Sequence, residues 1–148
     1  MFTHASWSDF RIIRAQLTGA SLDDPTTTTK DRTIPYAVFA TPELARIGLS
    51  ETEAREAGLD VRIAKVPTAA IPRAKTLRYA GEGFWKAVVD ANTHQILGAT
   101  LLGPNVSEVI SVVHVAMAGG LTYEQLRFLP IAHPTMGEGL QVLFDSLG

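Results

Sequence analysis

Two β-rich runs, Phe84-Trp85-Lys86-Ala87-Val88-Val89-Asp90 and Gln95-Ile96-Leu97-Gly98-Ala99-Thr100-Leu101-Leu102, are joined by only Ala91-Asn92-Thr93-His94. A connection that short leaves antiparallel pairing as the one available arrangement, with Asn92 suited to the turn conformation. A lone hairpin is marginal in water, so its apolar face needs a cover. The next segment supplies one. Val106, Val109, Ile110, Val113 and Met117 recur at helical spacing and end at Gly119-Gly120, which predicts a helix of three to four turns on the sheet. Strands covered by helices, without an alternating strand–helix–strand rhythm, predict an α+β single domain: an antiparallel sheet with helices packed on one face.

The rest of the chain fits this plan. Tyr36-Ala37-Val38-Phe39-Ala40, bounded by Pro35 and Pro42, reads as a short buried strand, and Val61-Arg62-Ile63-Ala64-Lys65-Val66 alternates as a strand with one core face. Ser50-Glu51-Thr52-Glu53 has capping-box spacing and predicts a helix from about Glu51 to Ala57, stopped at Gly58. Thr122-Tyr123-Glu124-Gln125 repeats the pattern for a second short helix. Pro67 to Gly81 reads as an irregular connection. A last helix is expected after Pro134, burying Leu140, Leu143 and Phe144. At 148 residues the chain can bury about two-thirds of its unfolded surface, enough for one core.

The N-terminal part differs in character. Trp7, Phe10, Ile13 and Leu17 are spaced along one helical face, and the segment Asp23-Asp24-Pro25-Thr26-Thr27-Thr28-Thr29-Lys30 has little to bury and reads as a linker. A boundary near residue 32 follows, dividing residues 1–32 from 33–148. Thirteen basic residues against 15 acidic give a net charge of -2. The basic residues are scattered, which argues against nucleic acid or an anionic membrane as partner. Arg73, Lys75 and Arg78 form a small cluster best read as solvated surface. No run is long and apolar enough to span a bilayer, and the start lacks a secretory pattern, so a cytoplasmic protein is expected. The chain has no cysteine; a thiol nucleophile, disulfide or thiolate metal site must come from elsewhere.

The chemistry concentrates in His133-Pro134-Thr135-Met136-Gly137-Glu138. Two uses compete for Glu138. Thr135 and Glu138 have capping-box spacing, a structural role; alternatively, a helical turn returns the carboxylate to the His133 ring, orienting it and favouring the imidazolium. His4, His94 and His114 are too dispersed to form a metal site, and Trp85 reads as core or interface rather than a stacking platform.

Taken with Ile34-Pro35-Tyr36-Ala37-Val38-Phe39-Ala40-Thr41-Pro42-Glu43, Gly83-Phe84-Trp85-Lys86-Ala87-Val88-Val89-Asp90 and Ile96-Leu97-Gly98-Ala99-Thr100-Leu101-Leu102-Gly103, the motif His133-Pro134-Thr135-x-x-Glu138 resembles the C-terminal dimerisation domain of the FAD-dependent pyridine nucleotide-disulfide oxidoreductases, the family of dihydrolipoamide dehydrogenase, glutathione reductase and mercuric reductase. The likeness runs from about Thr33 to Leu143. It implies a homodimer in which His133 is the acid-base partner of a redox-active thiol in the other subunit and Glu138 holds it. The chain departs from the family pattern at Gly137, and glycine weakens a first helical turn. Phe2-Thr3-His4-Ala5-Ser6 and Asp9-Phe10-Arg11-Ile12-Ile13 resemble the last helix of the FAD domain, whose start touches the flavin through backbone N–H at the position of Thr3. The resemblance therefore implies a fragment or shortened product that binds no cofactor alone, with FAD and NAD(P)H belonging to a full-length parent. The competing expectation is a standalone self-association or docking module without catalytic activity.

Overall fold

The computed structural model describes residues 2–21, 28–30 and 32–148. It divides the chain into two compact units, Met1–Ile34 and Pro35–Gly148. Most of the linker expected between Asp23 and Lys30 lies outside the described residues.

The first unit is built on helix α1 (Thr3–Leu17), none of whose residues is buried. Trp7 and Phe10 stack on each other at 5.3 Å, and Trp7, Phe10, Ile13 and Leu17 are all exposed. Within this unit Arg32 reaches back to Asp9 and Ser8, each at 2.7 Å.

The second unit contains a five-stranded antiparallel sheet of order β1-β2-β5-β4-β3, formed by β1 (Tyr36–Val38), β2 (Glu43–Gly48), β3 (Val61–Pro67), β4 (Phe84–Asp90) and β5 (Ile96–Gly103). Its registers Ala45↔Leu101, Ile47↔Ala99, Ala87↔Ala99, Ala64↔Ala87 and Val66↔Trp85 place apolar residues side by side. Because a strand's side chains alternate, these residues share one face. They form a single core with Val106, Val109, Ile110, Val113 and Ala116 of α4 (Val106–Ala118) and Leu140, Leu143 and Phe144 of α6 (Gly139–Asp145). No helix among the described residues is long and apolar enough to cross a membrane.

Both expected capping boxes form. Ser50 and Glu53 open α2 (Glu51–Glu56), and Thr122 and Gln125 open α5 (Tyr123–Phe128). From α2, Glu51 pairs with Lys86 at 2.6 Å and Glu53 pairs with Arg46.

Three expectations are corrected. The strand at Tyr36 is half-buried rather than buried, and Phe39 just beyond it is 80% exposed; an edge strand has one neighbour and a partly open face. The stretch Pro67 to Gly81 contains a 3₁₀ turn over Thr68–Ala70 and helix α3 (Pro72–Thr76), with Pro72 at the helix start, where its missing N–H costs nothing. In the β4–β5 turn the positive φ falls on His94 (63°) instead of Asn92. Asp90 accounts for the difference. Its carboxylate accepts the N–H groups of Asn92 at 2.8 Å and Thr93 at 2.7 Å, fixing the first half of the turn and leaving the reversal to His94. Those same backbone donors, Thr93 first, hold the Asp90 carboxyl below its usual range.

Candidate functional site

The segment between α5 and α6 brings His133 and Glu138 together. α6 is anchored to α5 by Gln141, whose amide donates to the Leu129 carbonyl at 2.8 Å and the Arg127 carbonyl at 3.2 Å, and by Arg127 paired with Asp145 at 2.6 Å. Ahead of α6 the chain makes a tight turn. The Thr135 hydroxyl donates to the Ala132 carbonyl at 2.8 Å and accepts the Glu138 N–H at 3.2 Å.

The carboxylate then divides its two oxygens. Oε1 accepts the Thr135 N–H at 3.2 Å, completing the reciprocal capping-box bonds, while Oε2 lies 2.8 Å from His133 Nδ1. The two readings of Glu138 are therefore compatible: one oxygen shapes the helix entry and the other grips the imidazole. The helix itself begins after Glu138. Gly137 consequently sits in the turn ahead of the helix, where its effect on helix propensity is small.

Burial divides the pair unequally. The Glu138 side chain is 9% exposed and that of His133 is 70% exposed. A buried acceptor at Nδ1 keeps a proton on that nitrogen, so in the neutral ring Nε2 carries the lone pair. The result is an outward-facing base oriented from behind. An open groove of about 550 Å³, lined by Arg73, Val109, Pro134, Thr135 and Gly137 among others, borders the loop.

The remaining histidines do not join this site. His4 stacks on Phe2 at 5.4 Å, and His114 is half-buried on α4. His94 Nδ1 lies 2.5 Å from Glu124, a pair that no sequence spacing signals because β5 and α4 intervene. Burial pushes the Glu124 carboxyl up, but hydrogen bonds from its own N–H, Thr122, Tyr123 and His94 outweigh this and leave it lowered. No group of three or more potential metal ligands occurs among the described residues. Trp85 is fully buried, as expected of a core residue. Arg73 is half-buried, and Lys75 and Arg78 are exposed. Thr3 opens α1, where the N-cap Phe2 provides no side-chain hydrogen bond and the first turn contains no acidic residue, so the helix start suits an electron-rich acceptor.

Residues 34–143 match the family described as pyridine nucleotide-disulphide oxidoreductase, dimerisation domain. The probable pyridine nucleotide-disulfide oxidoreductase RclA of Escherichia coli (strain K12) is 41% identical over 144 residues, covering 97% of this chain and 32% of that protein. The dihydrolipoyl dehydrogenase of Bacillus subtilis (strain 168) is 41% identical over 105 residues, covering 71% of this chain and 22% of that protein. A solved structure described as the HOCl-induced flavoprotein disulfide reductase RclA from Escherichia coli superposes with a TM-score of 0.89 at 41% identity, covering all of this chain and 33% of that one. The chain thus spans a third or less of the length of these relatives, and it belongs to the dimerisation-domain family of the pyridine nucleotide-disulphide oxidoreductases.

Proposed function

We propose that this chain is the dimerisation module of a FAD- and NAD(P)H-dependent disulfide oxidoreductase, and that in a homodimer it supplies His133 and Glu138 to a thiol pair held by the partner subunit. The observation that carries this reading is the asymmetry of the pair. A buried carboxylate grips Nδ1 of an imidazole whose ring is 70% exposed, and the chain has no cysteine. An outward-facing oriented base fits a site completed by groups beyond this chain, in the proposed homodimer those of the partner subunit.

In the proposed reaction His133 Nε2 accepts the proton of a thiol, and the thiolate formed attacks a disulfide sulfur. The imidazolium then returns the proton to the departing thiolate. Glu138 keeps the ring in the required tautomer and orientation, as a carboxylate does for a catalytic imidazole. In a full-length parent a bound flavin would supply electron transfer between nicotinamide and disulfide, and the Thr3 N–H at the start of α1 would be the group of this chain that holds it. The exposed side chains of Phe39, Val115 and Phe128 provide apolar surface of the kind that self-association covers.

The test is a chimera in which this chain replaces the matching C-terminal third of RclA, assayed for NAD(P)H-dependent disulfide reduction. His133→Gln should lower turnover by about 10²–10⁴, the range of one acid-base group, with flavin content unchanged. Turnover within twofold of the parent chimera would reject the acid-base role.

A further inference from the structure

Glu138 could be aimed at His133 by its own hydrogen bonds alone, but the residue after it points to a second constraint. Gly139 is the first residue of α6 and is buried. A Cβ at this position would lie 2.6 Å from Cζ3 and 2.8 Å from Cη2 of Trp85, and 2.8 Å from Cδ1 of Ile71. Its φ is not in the left-handed region, so its backbone conformation does not call for glycine, which is also the poorest helix former after proline. What the position requires is the absence of a side chain.

The other side of the contact is rigid. Trp85 and Ile71 are both 0% exposed. Trp85 sits in register between Val66 and Leu101 in the sheet. Among the described residues its Nε1 is the one buried side-chain nitrogen or oxygen without a hydrogen-bond partner. An unpaired buried donor is unfavourable, and a phenylalanine would avoid it. The far edge of its six-membered ring is the part that meets Gly139.

We propose that this notch, formed by Trp85 and Ile71 and filled by Gly139, fixes the Glu138 carboxylate against His133, making Trp85 and Gly139 positioning residues for the pair; the catalytic consequence rests on the function proposed above. Relieving a 2.6 Å contact to an ordinary carbon–carbon separation moves the start of α6 by about 1 Å. Glu138 is one peptide bond away, and its 2.8 Å bond to Nδ1 cannot survive such a shift in the wrong direction. Gly137, on the other side of Glu138, is a control. A Cβ there meets nothing closer than Thr135 Oγ1 at 3.7 Å and Ile131 Cγ2 at 3.8 Å.

The test is long-range ¹H–¹⁵N correlation of the imidazole nitrogens in the 148-residue chain, with the His133 signals assigned by their loss in His133→Gln. The unsubstituted chain and Gly137→Ala should have the neutral-ring proton on Nδ1. Gly139→Ala should lose that as the major tautomer, Trp85→Phe should weaken it by enlarging the notch, and the double variant Trp85→Phe/Gly139→Ala should recover it. Wild-type tautomer ratios in Gly139→Ala and Trp85→Phe, or no recovery in the double variant, would overturn the proposal. If Gly139→Ala does not fold, the double variant decides: an Nδ1 proton supports the notch and its loss rejects it. A general loss of stability would not shift a tautomer ratio in the folded state. The tautomer reports positioning whether or not His133 serves a thiol, so failure here is separable from failure of the chimera assay.

Discussion

Replacing Glu138 by glutamine keeps the shape of the side chain but exchanges one acceptor oxygen for a donor amide, and two donors depend on those oxygens. The Thr135 N–H is bonded at 3.2 Å in a part-buried turn, and His133 Nδ1 at 2.8 Å. The amide oxygen can stay with Thr135, giving up a charge-assisted bond for a neutral one at a cost of about 1 kcal/mol. The amide nitrogen then faces Nδ1, which must become an acceptor by moving its proton to Nε2. With the histidine side chain 70% exposed, solvent screens that half of the exchange and its cost stays at a few tenths of a kcal/mol. The sum is about 1–1.5 kcal/mol, or a fall in Tm of roughly 3–6 °C for a chain of this size. His133→Gln should cost less than about 0.5 kcal/mol, because the side chain it replaces is exposed and the new amide N–H can still donate to the buried carboxylate. Urea melts followed by far-ultraviolet circular dichroism, with the slopes compared to confirm a common denatured state, measure both. A Glu138→Gln variant as stable as the parent, or a His133→Gln variant equally destabilised, would refute the claim that the carboxylate is structural on one oxygen and functional on the other.

Two further outcomes are expected. In sedimentation velocity at tens of micromolar the chain should run as a dimer, and Val115→Lys with Phe128→Lys, at positions 71% and 73% exposed, should shift it toward monomer; a chain that is monomeric throughout contradicts self-association. Stability should fall in acid. The Glu51 carboxyl is held below its ordinary value of 4.5 by hydrogen bonds from Lys86 and then Arg55, and Glu53 is lowered by Ser50. A carboxyl lowered in the folded state stabilises above its unfolded value, and that contribution is lost as pH falls through the folded one. The decline should therefore begin below about pH 4.5, and Lys86→Met should flatten it; a slope unchanged in Lys86→Met would refute this origin.

What the sequence made legible were features carried by local spacing. The stripe of Val106, Val109, Ile110 and Val113 became α4, the hairpin became β4 and β5, and both predicted capping boxes open short helices. The His133–Glu138 pair was legible for the same reason, since both members lie within one turn. Strand β2 was not anticipated. Its buried positions are Ala45 and Ile47, and an alanine contributes little to a period-two apolar signal, so its identity depends on pairing with β1 and β5. Helix α3 was hidden among prolines and small residues, and its one buried residue is Ala74. The pairing of His94 with Glu124 and the seating of Gly139 on Trp85 join residues far apart in the chain. Only the closed fold brings them together, and no local spacing encodes them.

The central claim is that His133 serves a site in the other subunit, and mixed dimers of the RclA chimera test it most directly. One subunit carries His133→Gln with its redox-active thiols intact; the other keeps His133 and lacks the thiols. Each homodimer should be inactive. If His133 acts across the interface, the mixed dimer contains one complete site and should recover about half the activity of the parent chimera. A mixed dimer no more active than either homodimer would contradict the account.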